Sequence, residues 1–87
     1  MDRNTILIEL KKVLAPYTVD KKALDSIDDQ TDLIKDLKIN SANLVDIIID
    51  SENKYQIEID LDSAEKMSNV GNCIDVILEK LNERSEE

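Results

Sequence analysis

Apolar residues recur at helical spacing in three stretches of this chain and lose that spacing between the first two. Ile6, Leu7, Leu10, Val13 and Leu14 share one face of a helix predicted over residues 2–16. Asn4 or Asp2 is placed to cap it and Pro16 to end it, while Lys11 and Lys12 sit where the helix dipole favours cations. Leu44, Ile47, Ile48 and Tyr55 give the core face of a second helix, from about Ser41 to Lys54. Val70, Cys73, Ile74, Ile77, Leu78 and Leu81 form the cleanest stripe, a last helix capped by Ser68 or Asn69. Residues 83–87 read as a polar, frayed tail.

Between the first two helices, residues 17–39 show no sustained period. Asp25, Ser26, Asp28, Asp29, Gln30 and Asp32 make the middle a loop with turn chemistry. Val19, Leu24, Ile27, Leu33, Ile34 and Leu37 are apolar pins that would hold it to the bundle, and residues 32–37 suit a short helical turn. Residues 56–60 alternate apolar and polar like a strand, but a lone strand has no partner, so an extended loop is expected. Asp60 or Asp62 then caps a short third helix ending near Met67, with Asp62 and Glu65 spaced as a capping box. The sum is an all-α fold: a small four-helix bundle, three longer helices and a short third one, with a long first loop.

Composition narrows this reading. The 87 residues allow one domain, residues 1–87, with a modest core. Two tyrosines are the only aromatics, so that core is aliphatic, and one Gly and one Pro favour helices over a turn-rich β fold. No apolar run approaches the ~18–20 residues that span a membrane, and no basic-then-apolar leader is seen, which points to a cytoplasmic chain. The formal charge is −9, from 20 acidic and 11 basic residues. Such a balance disfavours nucleic acid, whose phosphates need basic groups, and suits either basic protein partners or simple solubility.

Ser41 is the residue with chemistry to offer. Asn40 before it is a good N-cap, so Ser41 falls in the first turn, where unpaired N–H groups and the dipole favour a negative group. Read locally, Ser41 is either a first-turn capping serine or a hydroxyl well placed to carry a phosphoester.

A longer pattern bears on that choice. Asp36-Leu37, then Asn40-Ser41-Ala42, an acidic helix from Leu44 to Tyr55, the segment Ile59 to Lys66, and a final helix from Val70 to Leu81 follow in order. From Thr31 to about Leu81 the chain resembles an acyl carrier protein, without a gap. The resemblance implies that Ser41 carries a 4′-phosphopantetheine arm whose thiol holds acyl groups as thioesters, for fatty-acid, polyketide or another specialised lipid pathway. It implies a monomeric, non-catalytic carrier, modified by a phosphopantetheinyl transferase and served by acyl-transferring, ligase or synthase enzymes with basic patches. Their docking surface would use Asn40, Ala42, Val45, Asp46, Ile49, Asp50, Glu52, Ile59 and Glu65. Three positions depart from the family pattern: Asn40 for Asp, Ala42 for a larger aliphatic, and Lys38 for a glycine. Ser51 stands at a core position usually aliphatic in the family. A mid-helix serine there is expected to bond back one turn, and it would alter the acyl cavity. The match loosens upstream of Thr31, where a small insertion in the loop is expected.

Other chemistry is excluded or unsupported. With no histidine, His-based triads and His metal sites are ruled out. Cys73 falls on a core stripe, reads as a buried small hydrophobe, and has no partner for a disulfide. Neither acidic run has the glycine and terminal Glu of an EF-hand, so no metal site is expected. Two alternatives to the acyl carrier stay open: a carrier-like interaction module that is not modified, and an aminoacyl or peptidyl carrier.

Overall fold

The computed structural model describes residues 2–85. Five α-helices follow in order: α1 (Arg3–Leu14), α2 (Lys21–Asp25), α3 (Leu44–Tyr55), α4 (Leu61–Glu65) and α5 (Val70–Ser85), with no strand among the described residues. The predicted second, third and last helices are α3, α4 and α5. Helix α1 packs on α5 and α3, and α3 on α5. Between them lie Ile6, Leu10 and Leu14 of α1, Ile47 and Tyr55 of α3, and Val70, Cys73, Ile74, Val76 and Ile77 of α5. Each such aliphatic side chain contributes roughly 1.5–3 kcal/mol by leaving water. The four-helix plan therefore stands, with one addition.

That addition is α2, within the segment expected to be a loop. Asp20 caps it, accepting from the Ala23 amide at 3.2 Å, and Leu24 plugs it into the core. A single turn has room for one buried residue, so no periodicity announces it. Pro16 does not stop α1 abruptly either. The chain tightens into a 3₁₀ turn, Ala15–Tyr17, with proline in its first turn, where no N–H is needed. Thr18, buried, then donates its hydroxyl to the Leu14 carbonyl at 2.8 Å. Asp2, rather than Asn4, caps α1 by accepting from the Thr5 amide at 2.8 Å.

Of the expected loop pins, Leu24, Leu33 and Leu37 are buried, whereas Val19 is 76% and Ile34 43% exposed. The loop holds instead through its backbone. Leu33 N–H donates to the Ser68 carbonyl (3.1 Å), Val70 N–H to Thr31 (2.9 Å) and Gly71 N–H to Asp29 (3.0 Å). Arg3 adds ion pairs to Asp29, at 3.0 Å, and to Asp75. The bonds from Val70 and Gly71 satisfy amides at the start of α5 that would otherwise need water. Asn69 supplies the cap, accepting from the Asn72 amide at 2.8 Å.

Residues 32–37 do form a turn, with Asp32 accepting from the Ile34 and Lys35 amides at 2.9 and 2.8 Å. Helix α4 begins after Asp60, not Asp62, so the expected Asp62–Glu65 capping box is not formed. The Ser63 hydroxyl and then the Lys80 ammonium hold the Asp60 carboxyl down at about 2. Lys80 lies 3.1 Å from Asp60 and 3.5 Å from Glu83. Helix α5 continues through Ser85, so the expected tail from residue 83 is helical up to there. Glu86 and Glu87 lie outside the described residues. Cys73 is buried and free, and burial pushes its thiol up to about 12. No described helix is long and apolar enough to cross a membrane.

Candidate functional site around Ser41

The backbone turns sharply just before Ser41. Lys38 has φ 60°, in the left-handed region that costs a side chain roughly 1–2 kcal/mol and costs glycine nothing. A glycine suits this corner on steric grounds, and Lys38 holds it with its side chain exposed. Ile39, buried, anchors the chain between the corner and the serine, its amide donating to the Leu33 carbonyl at 3.1 Å. Asn40 then caps as expected, its side-chain oxygen accepting from the Ala42 amide at 2.9 Å.

Ser41–Asn43 is a 3₁₀ turn that runs directly into α3, rather than the first turn of the α-helix itself. Ser41 is exposed, and its hydroxyl makes no hydrogen bond among the described residues. The oxygen therefore stands open at the positive end of a helix, where an ester-linked phosphate is favoured electrostatically.

Behind the serine, α3 presents two faces. Towards the core it sends Ile47, Ser51 and Tyr55. Ser51, fully buried, donates to the Ile47 carbonyl at 2.9 Å, the back-bond expected of it. Tyr55 donates to the Glu9 carboxylate at 2.8 Å, and burial, then that carboxylate, push its phenol well above the usual range. Towards solvent, Val45 is 60% and Ile49 46% exposed, with Ala42 and Asp46 exposed beside them.

The other docking candidates divide. Asp50, half-buried, accepts from the Tyr17 hydroxyl at 2.8 Å, and this bond is the main cause that raises the Tyr17 phenol, with burial and the charges of Asp50 and Asp46 behind it. Glu52 turns the other way and accepts from the Ile59 amide at 2.8 Å, holding the loop into α4. Glu52 and Ile59 thus meet each other, in a polar groove shared with Asp60 and Lys80 at the far end of α3 from Ser41. Glu65 lines an apolar cavity together with Leu44. Tyr17 had no periodic or motif signal to mark it.

That cavity, about 320 Å³, opens between the 32–35 turn, α3 and α4, and is walled by Leu33, Ile34, Leu44, Ala64 and Met67 with Lys35 and Glu65 at its lining. A recess of about 20 Å³ continues it towards Ile47 and Ile48. Ser51 is not among its walls, so its hydroxyl shapes the helix and not this space. Among the described residues no cluster of Cys, Asp or Glu is arranged to hold a metal.

Comparison with known proteins gives this arrangement its class. No family model matches the chain. An acyl carrier protein of Lactobacillus acidophilus is 35% identical over 78 residues, covering 88% of this chain and 94% of that protein. The acyl carrier protein of Thermotoga maritima is 30% identical over 91% of this chain and 95% of its own length. A solved structure of the acyl carrier protein from Enterococcus faecalis superposes with a TM-score of 0.74 at 25% identity, covering 92% of this chain and 99% of that one. The small helical bundle is thus shared with a solved acyl carrier protein. The chain belongs to the acyl carrier protein family.

Proposed function

We propose that Ser41 is the attachment point of a 4′-phosphopantetheine arm and that the chain carries acyl groups on it as thioesters for a fatty-acid, polyketide or other specialised lipid pathway. The observation that carries this reading is the open Ser41 hydroxyl at the start of α3, in a member of the acyl carrier protein family. The residues fit the group: Asn40 fixes the turn, the helix start favours the phosphodiester charge, and no side chain among those described occupies the hydroxyl. When bound, the arm supplies a thiol that holds the acyl group. The protein supplies the rest: it exposes the serine, offers the apolar cavity beside Leu44 to an acyl chain, and presents an acidic surface to enzymes. It has no catalytic role of its own in this reading.

Docking falls to Asn40 and Ala42 beside the serine and to Val45, Asp46, Ile49 and Asp50 of α3, with Glu65 at the lining of the cavity. No Lys or Arg occurs between Lys38 and Lys54, so a basic, partly apolar partner surface is the complement. The transferase and later acyl-handling enzymes are the partners, and nucleic acid is not. Incubation with coenzyme A and a broad-specificity phosphopantetheinyl transferase, read by intact mass, tests the arm. One added phosphopantetheine, absent in Ser41→Ala, is expected. No addition with any competent transferase would favour the second reading, an unmodified interaction module, which Asn40 and Ala42 in place of the family's Asp and larger aliphatic keep in play.

A further inference from the structure

The contact between Tyr17 and Asp50 joins two parts of the chain that lie 33 residues apart in sequence. Tyr17 closes the 3₁₀ turn after α1, whereas Asp50 belongs to the outer side of α3. The phenol donates to one carboxylate oxygen, Oδ2, at 2.8 Å, leaving Oδ1 for another donor. Asp46, one turn nearer Ser41, is close enough for its charge to act on the same phenol. Val19, two residues on and 76% exposed, is pinned beside Leu37 by its amide, which donates to the Leu37 carbonyl at 3.3 Å. The segment after α1 therefore borders the acidic side of α3.

We infer that Tyr17 is a positioning residue of the docking surface: its hydroxyl fixes the Asp50 carboxylate beside Asp46, so that a Lys or Arg of a protein partner meets a preformed pair of acids rather than a mobile one. This rests on the docking role proposed above for α3. The occupant is a basic protein surface, because the pair is acidic, the chain carries −9 overall, and exposed Val45 and Ile49 flank the acids. Lys21, the cation nearest Tyr17 in sequence, is already engaged on the Ala15 carbonyl and does not neutralise the pair by bonding to it. A side chain fixed before binding loses less freedom on binding, which appears in KM and not in the rate of the bound complex. The purely structural alternative is that the bond only fastens the 3₁₀ turn to α3.

The test uses the full chain, a broad-specificity transferase and coenzyme A, with Tyr17→Phe, Asp50→Asn and the double variant. Tyr17→Phe keeps the ring and removes only the donor. The expected result is a KM for the carrier raised about twofold to fivefold in each single variant, of the size seen for exposed ion pairs, with kcat unchanged. The double variant is expected to match Asp50→Asn alone, since Tyr17 acts through that carboxylate. An unchanged KM in Tyr17→Phe, or a Tyr17→Phe effect that persists in the Asp50→Asn background, overturns the inference while Asp50→Asn still supports docking on α3. A KM rise accompanied by an equal fall in the fraction folded also overturns it. If Asp50→Asn leaves KM unchanged, or the unaltered chain is not modified at all, the docking or arm reading falls and this inference falls with it.

Discussion

Gly71 and Asp29 are in backbone contact: the Gly71 amide donates to the Asp29 carbonyl at 3.0 Å, and a Cβ on residue 71 would stand 2.8 Å from that same oxygen. The neighbouring Asp29 Cβ would be at 3.0 Å. The chain's single glycine thus marks the point where the long loop presses on the first turn of α5. Gly71→Ala gains helix propensity, about 0.5–1 kcal/mol, but overpacking against backbone costs about 1–3 kcal/mol. A net loss of about 1 kcal/mol is expected in urea unfolding. A stabilised variant would mean that the loop yields easily.

Lys38 gives the opposite expectation. Its left-handed backbone, φ 60°, is relieved in Lys38→Gly, and the exposed side chain leaves no packing behind. Relief of about 1–2 kcal/mol less an unfolded-chain entropy of about 0.4–1 kcal/mol predicts a gain of about 0.5–1 kcal/mol. Thermal unfolding checks it, and a lower midpoint would show that the lysine side chain is itself holding the corner.

Tyr55→Phe removes the donor to Glu9 and with it the polar tie between α3 and α1. Hydrogen bonds to charged groups at part-buried sites contribute about 1–2 kcal/mol, and the carboxylate left behind gains only water. Urea unfolding of the variant is expected to show that loss. At high pH the parent should lose the same tie: the folded phenol binds its proton more tightly than the unfolded one, so stability declines as pH rises above about 10. Tyr55→Phe should flatten that decline.

Asp60 governs the acid side. Its carboxyl titrates at about 2 rather than the ordinary 3.8, so the unfolded chain binds that proton first. The contribution is whole above pH 4 and drains away as pH falls towards 2. Unfolding curves of the parent and Asp60→Asn should differ at pH 6 and converge near pH 2, while a constant gap would show that the contribution of Asp60 does not come from its charge.

Reversal of both Asp46 and Asp50 to Lys tests the acidic side of α3. Two lost attractions turned repulsive predict about a tenfold fall in kcat/KM with the transferase, about 1.4 kcal/mol, with helix content by circular dichroism nearly unchanged. Unaltered turnover would move the docking surface elsewhere.

The helices whose apolar stripes run over several turns were legible in the sequence, because burial repeats often enough to define a period. Asn40 as cap and the Ser51 back-bond followed from local side-chain chemistry alone. Helix α2 was not legible, since Leu24 is its single buried residue and one point has no period. The Asp20 cap was the available signal. The 3₁₀ form of Ser41–Asn43 was hidden for a related reason: three residues do not distinguish it from the start of an α-helix. Val19 and Ile34 were misplaced because the loop is fixed by amides and carbonyls, which every residue possesses and no sequence pattern displays. Tyr17 and Asp50 are 33 residues apart, and only the packing of α3 beside the first helix brings them together.

The backbone seam between residues 29–33 and 68–71 also sets where this chain tolerates a change of length. Its amides and carbonyls pair in fixed register, so one residue gained or lost between Thr31 and Leu33 would carry the Leu33 amide off the Ser68 carbonyl while Thr31 stays paired with Val70. Ahead of Asp28, around exposed Ser26, extra residues would hang in water and leave the seam aligned. An added residue is thus expected to cost little stability ahead of Asp28 and to cost the seam a hydrogen bond when placed between Thr31 and Leu33.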